Sequence, residues 1–376
     1  MSDRTAILFS CGDRSAENHL LPLLDEVRAV SPEVRTLVLG GDRCRGRCDV
    51  FVEDLVGYDA HGFFAPFLMV PRFFSLVQRV QRLLASERVG TVVLMDYYGF
   101  NIRLAERARR MGIRTVYYIP PQVWASRAGR LRRMRRCIDL VVPVFPFEPE
   151  WYRCAGIPSV YVGHPITDSL RIPAADERRD RTLVGLFPGS RAQVISWNLP
   201  VMLRIVDRWV SRGNAPRFVV FGFERHRAQY ERLLAGTPKA RVSVTYDREA
   251  RASIGAALSV SGTVALENAL DGIPAVVVYR LPEPMYRFLK TVVRVPYISL
   301  PNIILNRLSV PEFIQHDIRP DRVVDALAAL NADGDARAAA LRDCAEVRRM
   351  LCGGAGQTTM TVAHAVAKLL VEGVHA

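Results

Sequence analysis

The sequence predicts an α/β protein of two doubly wound, Rossmann-like parallel-sheet domains facing across a cleft. Three observations carry this reading. Short apolar runs of strand length alternate with helical patterns, as in parallel sheets covered on both faces. The rhythm breaks once, at the arginine-rich stretch 171–181 that contains Pro173, and then starts again. A length of 376 residues also suits two domains of ~100–200 residues better than one or four.

In chain order, the first buried strand is expected at 5–10, followed by strands at 36–39, 91–95, 115–119 and 140–144, with helical patterns such as 102–111 between them. The second series runs through 182–187, 217–221, 242–244, 258–260 and 275–279. The expected organisation is an N-terminal domain at 1–170, a linker at 171–181 and a C-terminal domain at 182–350. A closing segment at 351–376, helical over 363–371, is placed to pack back on the N-terminal domain. No internal repeat is visible. Open parallel sheets bind ligands beyond the carboxyl ends of their strands, so two in series imply a ligand cleft.

Composition excludes a disordered chain, a collagen-like fibre and a coiled coil: 49% of residues are hydrophobic, 24% charged, and the mean hydropathy is +0.08. The charge is informative. Lys+Arg number 51 against 38 Asp+Glu, a net +13, and Lys239, Lys290 and Lys368 are the only lysines. Such an arginine excess implies anionic partners: nucleic acid, an anionic membrane surface or phosphorylated substrates. The seven cysteines are odd in number and scattered, which suits free thiols in a reducing cytoplasm. Cys44 and Cys48 lack a second Cys/His pair to complete a zinc site, so no metal is expected.

The N-terminal apolar run is too short for a signal sequence, and no export is expected. The most apolar long stretch, 61–84, is interrupted by Pro66, Pro71 and Arg72 and does not supply the ~20 apolar residues of a membrane span. Within it, Phe63, Phe64, Phe67, Leu68, Phe73, Phe74 and Val77 lie beside Arg72, Arg79 and Arg82. This composition fits either a segment lying in a membrane interface or a core helix with a basic outer face.

Several motifs stand where strands end. Leu186-Phe-Pro-Gly-Ser-Arg191 closes a strand with Gly189 and Ser190 and delivers Arg191, whose fixed donors suit a diphosphate. Ser261-Gly262-Thr263 joins a strand to a helix whose free N–H groups suit a phosphate, with Glu267 one turn in, able to accept from ribose hydroxyls. Asp96 follows the apolar strand 91–95 and is a candidate base, with Asn101 in the loop beyond it. Near the first strand, Asp13 and Ser15 read on their own as helix caps. His164, in Val162-Gly-His-Pro165, reads on its own as structural. Arg127–Arg136 holds six arginines in ten residues, more than helix solvation requires.

The ordered series of these motifs resembles the lipid-A-disaccharide synthases, inverting glycosyltransferases of the two-domain GT-B architecture. The residues that carry the resemblance span most of the chain: Asp96 with Phe100-Asn101, Tyr117 to Trp124, Val144-Phe-Pro-Phe-Glu148, Gly163-His164-Pro165, Leu186 to Arg191, Ser261-Gly-Thr263 with Glu267, and Ser299-Leu-Pro-Asn302. The resemblance implies transfer of 2,3-diacylglucosamine from UDP to 2,3-diacylglucosamine 1-phosphate, releasing UDP, without a cofactor. It implies Asp96 as the base, with Asp13 as a second catalytic carboxylate, and Arg191 with Gly189, Ser190 and Ser261–Thr263 at the UDP phosphates. Glu267 would meet the ribose and Asn302 the donor region, with Ser15, Asn101, Trp124 and His164 also lining the substrate site. It further implies an N-terminal domain that takes the acceptor and docks on the cytoplasmic face of the inner membrane through 63–79, no nucleic-acid partner, and nothing about oligomeric state.

Departures from the family pattern fall on the acceptor side. Where the family carries Gly-Glu-x-Ser-Gly-Asp, this chain has Gly12-Asp13-Arg14-Ser15-Ala16-Glu17. Gly99 replaces the second acid after Asp96, and Val194 stands where an acid usually follows Pro-Gly-Ser-Arg. The alternatives are a related UDP-sugar enzyme with another lipid acceptor and a non-catalytic nucleotide-binding paralogue.

Overall fold

A computed structural model describes residues 6–57, 70–124, 129–169, 176, 179–238, 241–293, 295–352 and 360–375. Contacts divide the chain into two compact units, Met1–Ser169 with Leu351–Ala376, and Leu170–Met350.

The first unit holds a six-stranded parallel sheet: β1 (Ala6–Cys11), β2 (Arg35–Gly40), β3 (Val50–Asp54), β4 (Val89–Met95), β5 (Arg114–Tyr118) and β6 (Leu140–Val142). Their spatial order is β3-β2-β1-β4-β5-β6. The chain leaves β1 toward one edge and resumes at β4 toward the other, so the strand order reverses between these two, the usual place for a ligand crevice. The helices between the strands are α1 (Arg14–Val30), α2 (Val70–Ser86), α3 (Tyr98–Arg110), α4 (Arg130–Met134) and α5 (Glu148–Cys154). Leu8, Leu37, Val92, Leu94, Leu104 and Tyr117 are fully buried members of one core.

α2 settles part of one expectation. Leu76, Val77, Val80 and Leu84 are buried in that core at helical spacing, so this stretch is a core helix with Arg79 and Arg82 outside, and Val77 is not an interfacial residue. Arg79 bonds the carbonyl oxygen of Val52 at 3.2 Å and pairs with Glu53. Phe63, Phe64, Phe67 and Leu68 lie outside the described residues, as do the side chains of Arg72, Phe73 and Phe74. Among the described residues no helix is long and apolar enough to cross a membrane.

The second unit repeats the plan with β7 (Asp180–Phe187), β8 (Arg217–Phe221), β9 (Val242–Thr245), β10 (Ile254–Ser259), β11 (Ala275–Tyr279) and β12 (Glu312–Ile314), ordered β12-β11-β10-β7-β8-β9. Here the order reverses between β7 and β10. Helices α6 (Ala192–Ser211), α7 (Arg227–Leu233), α8 (Thr263–Leu270), α9 (Glu283–Val292), α10 (Leu300–Leu305), α11 (Pro320–Asn331) and α12 (Asp335–Leu351) complete it. Edge strands β3 and β12 are absent from the sequence expectation, since one is half-buried throughout and the other only three residues long. The C-terminal part of the arginine-rich stretch is tied into this unit: Arg179 donates to the carbonyl oxygens of Ala252 and Ile254, both at 3.4 Å, and Arg337 binds Asp176.

The last helix, α13 (Val362–His375), belongs to the first unit and packs on α1. Asp168 caps it, accepting from Val362 N at 2.7 Å and Ala363 N at 2.9 Å, and His364 pairs with Glu26 at 2.8 Å. Gly163 (φ +116) runs so close beneath it that a Cβ there would meet Val362 at 2.8 Å.

Candidate functional site

At the carboxyl end of the first sheet, β1 and β4 run in register to Cys11 and Met95, which brings Gly12-Asp13 beside Asp96. Asp96 (φ 46°) and Tyr97 (φ 41°) are both left-handed, a costly backbone for non-glycine residues that surrounding contacts must hold in place. The Asp96 carbonyl accepts from the Asn101 side-chain amide at 2.8 Å and from the Tyr117 hydroxyl at 2.6 Å. The Asp96 N–H donates to Ile119 O at 3.1 Å, and Ile119 is itself left-handed (φ 54°). Tyr97 covers Gly12 so closely that a Cβ there would lie 2.2 Å from its ring.

The Asp96 carboxyl remains exposed to solvent, yet closely surrounding protein, a hydrogen bond with the Asp13 carboxyl and the Asp13 charge raise it to about 7. The Tyr97 N–H and Arg130 oppose the rise. Arg130 lies over the Tyr98 ring at 4.4 Å. Asp13 also caps α1, its Oδ1 accepting from Ala16 N at 2.7 Å. Ser15 is exposed in the first turn of that helix.

Asn101 departs from its expected role. It is fully buried, its Oδ1 accepts from Ser10 Oγ at 2.6 Å, and its amide donates to Asp96 O, Met95 O and Ser10 O, so it holds the Asp96 turn and presents no atom to a ligand. His164 is also buried, and burial together with the His19 charge pushes it down to about 3, a neutral ring. Its Nδ1 accepts from Ile166 N at 3.1 Å, a turn-stabilising role rather than a substrate contact. Trp124 is partly exposed, and its indole N–H donates to Glu148 at 2.8 Å. The other Glu148 oxygen accepts from Val144 N and Phe145 N at 3.1 and 3.0 Å. Phe147 and Phe145 flank the indole at 5.2 and 6.2 Å.

In the second unit, β7 and β10 end side by side, with Val260 N bonded to Phe187 O at 3.0 Å. Gly189 needs its positive φ (+106°), and a Cβ there would meet Val194 at 2.8 Å. Ser190 is exposed, and its carbonyl receives Arg225 at 2.8 Å and His226 at 3.1 Å. Arg191 stands exposed before α6, within electrostatic reach of Tyr279. Across the crevice Ser261 Oγ donates to Ile298 O at 2.6 Å, Gly262 takes φ 135°, and the exposed Thr263 opens α8. This turn therefore sits beside the Pro-Gly-Ser-Arg turn, as phosphate recognition by backbone N–H groups and arginine requires.

Glu267 is already paired: its Oε2 meets Arg251 at 2.6 Å, and Arg251 also reaches Asn268 Oδ1 at 2.9 Å and Asp271 at 3.0 Å. Arg251 is largely buried and lies 5.3 Å from the Phe187 ring centre. Asn302 departs from its expectation as Asn101 does. Its amide donates to Val310 O at 2.8 Å and Glu312 at 2.7 Å while its Oδ1 accepts from Ser309 N and Val310 N, so it shapes the loop under Ser261 without a free polar atom. Ser10, Tyr117, Glu148, Arg225 and Arg251 were missed as site residues. Of these, Tyr117 and Glu148 carry a readable signal, as members of the motifs at 117–124 and 144–148. Among the described residues no three His, Cys, Asp or Glu side chains gather as metal ligands.

A family model described as lipid-A-disaccharide synthetase matches residues 7–363. A lipid-A-disaccharide synthase of Geobacter sulfurreducens is 33% identical over 342 residues, covering 86% of this chain and 87% of its own. That of Trichlorobacter lovleyi is 29% identical over 370 residues, covering 94% and 95%. In fold, the chain is similar to a UDP-glucose:anthocyanidin 3-O-glucosyltransferase solved with UDP, at a TM-score of 0.64 and 11% identity, with complete coverage of both chains. A UDP-GlcNAc 2-epimerase from Neisseria meningitidis, solved with UDP-GlcNAc, gives 0.58 at 8% identity, covering 98% of this chain and 99% of that one.

Proposed function

The chain belongs to the lipid-A-disaccharide synthase family and is a glycosyltransferase of lipid A biosynthesis, and from that premise we propose the chemistry its residues perform. The donor is UDP-2,3-diacylglucosamine and the acceptor 2,3-diacylglucosamine 1-phosphate. The acceptor's 6-hydroxyl attacks the anomeric carbon from the side opposite UDP, the bond to UDP breaks, and the configuration inverts. Asp96 takes the hydroxyl proton. The observation that carries this assignment is the left-handed turn at Asp96, fastened by Asn101 and Tyr117 and set against Asp13. A carboxyl near 7 is basic enough to accept a proton yet substantially ionised at neutral pH.

Departing UDP is stabilised by Arg191, the Gly189-Ser190 turn and the N–H groups of Ser261–Thr263, without a metal. Glu267 presents its remaining oxygen to the ribose while Arg251 fixes the carboxylate. Trp124, oriented by Glu148, offers an aromatic face to the acceptor sugar. Asn101 and His164 support the first unit's turns, and Asn302 supports the second unit's loop. The basic, aromatic residues of 63–74, with Arg79, dock on the cytoplasmic face of the inner membrane, where both acylated substrates reside.

The family match favours neither a related UDP-sugar enzyme with another lipid acceptor nor a non-catalytic relative. Incubating the purified protein with both acylated sugars and following disaccharide and UDP by mass spectrometry tests the reading. Asp96→Asn should bind UDP but lose transfer. Full transfer by that variant would remove Asp96 as the base.

A further inference from the structure

The basic run at 130–136 contains two kinds of arginine. Arg133 is engaged, its guanidinium paired with Glu106 at 2.5 and 2.8 Å, and Arg130 lies against Tyr98. Arg132, Arg135 and Arg136 are exposed, and among the described residues no carboxylate pairs with any of them. Nearby, Arg109 pairs with Asp139, and Arg153 with Glu150 at 3.1 Å.

These three unmatched arginines line one recess of about 390 Å³, together with Leu131, Cys154 and Ala155. No carboxylate lines it. Glu150, beside Cys154, is engaged by Arg153 and accepts from the Cys154 thiol at 3.2 Å. The volume lies in the ~300–1,000 Å³ range of small-ligand pockets. Three guanidinium groups around a concave surface match the oxygens of a dianionic phosphate, which each can bind through paired N–H donors.

The recess is not the transfer crevice. Arg136 leads through Cys137 and Ile138 into the amino end of β6, and α5 starts beyond the carboxyl end of that strand and runs back to Cys154. The recess therefore lies by the amino end of the edge strand, whereas Asp96 follows the carboxyl end of β4.

We propose that Arg132, Arg135 and Arg136 form a second anion site that binds a phosphomonoester, separate from the site of glycosyl transfer. Cys154 in its wall reports occupancy directly, and the exposed Cys352 on a different element serves as internal reference. The test follows iodoacetamide labelling of both cysteines in the intact protein by peptide mass spectrometry. Probes are glycerol 3-phosphate in solution and phosphatidylcholine vesicles carrying phosphatidic acid. A severalfold slowing at Cys154, with Cys352 unchanged, is expected with at least one probe. Slowing by glycerol 3-phosphate identifies a free phosphomonoester, and slowing by the vesicles alone identifies a lipid headgroup.

R132A/R135A/R136A should abolish the protection while retaining disaccharide synthesis, and the charge-matched R204A/R232A/R342A should keep it. Any of four results overturns the proposal: no slowing by either probe, parallel slowing at Cys352, undiminished protection in R132A/R135A/R136A, or equal protection by phosphatidylglycerol vesicles of the same charge.

Discussion

Asp96 is useful because its backbone is held where an unsupported aspartate would not stay. Removing Asn101's amide with Asn101→Ala leaves Ser10 Oγ without its acceptor and strips a donor from the Asp96, Met95 and Ser10 carbonyls. The cost should be ~1–3 kcal/mol of stability, together with a fall in kcat that exceeds any change in KM, measured by denaturant titration and steady-state assay. Asp96→Asn, which keeps the shape and removes the proposed base, should lower transfer ~10²–10⁴-fold with folding intact. Because the carboxyl titrates near 7 and must be ionised to accept a proton, kcat/KM should rise with pH through about 7 in the native protein. A rise centred near 4 would place the base elsewhere.

Glu148 gives a stability signature of opposite origin. It is fully buried, and burial raises it to about 7 despite three N–H donors that favour its charged form. In the unfolded chain it ionises near its ordinary ~4.3. Between these values the unfolded state releases the proton while the folded state retains it, so the contribution to stability is complete at low pH and declines as pH rises through the window. The decline approaches ~1.4 kcal/mol per pH unit at its steepest. Glu148→Gln should flatten the pH dependence of the unfolding free energy between pH 4 and 7, and an unchanged slope would mean that Glu148 is already ionised in the native state.

At the scale of elements, the two crevices arise from strand order, and the turns beside them need specific backbones. Gly189→Ala forces a side chain onto φ +106° and against Val194, so it should cost ~1–3 kcal/mol and weaken UDP binding, read by calorimetry. The repeated α/β plan was legible because buried strands such as 91–95 are continuous apolar runs, and so were the turns that end them. Edge strands β3 and β12 were not, since partial burial and brevity erase the apolar signal. In the candidate site, Asp96, Arg191 and Ser261–Thr263 stand out by their position at strand ends, whereas Asp13 and Ser15 read on their own as helix caps. The clamps are less legible: Ser10 looks like an ordinary strand residue, Tyr117 is marked only as part of the motif at 117–124, and Arg251 lies in a short 3₁₀ helix (Glu249–Ser253) with no spacing to mark it. Asn101 and Asn302 were found for their motifs but given the wrong task, because sequence does not say which way an amide points. Their full set of protein partners makes both supporting residues.

For the whole molecule, the chain's end lies with its beginning. α13 is 194 residues from the Asp168 carboxylate that caps it, and it covers α1 with Val366, Ala367 and Leu370 buried. The first sheet's helical cover is thus completed by a helix distant in sequence, whereas the second unit has its own cores built from Val184, Leu186, Leu258 and Val276 and from Phe187, Ala257 and Val277. Cutting the chain after Met360 exposes apolar surface on the first unit. Removing residues 361–376 should lower the calorimetric transition of the first unit by several degrees, leave that of the second in place, and preserve UDP binding while disaccharide formation is lost. Asp168→Ala is the milder form of the same perturbation, with a missing cap worth ~1 kcal/mol and the first unit's transition again the one that moves. If truncation shifts both transitions equally, the two cores do not melt independently, and the last helix supports the entire chain rather than the sheet it covers.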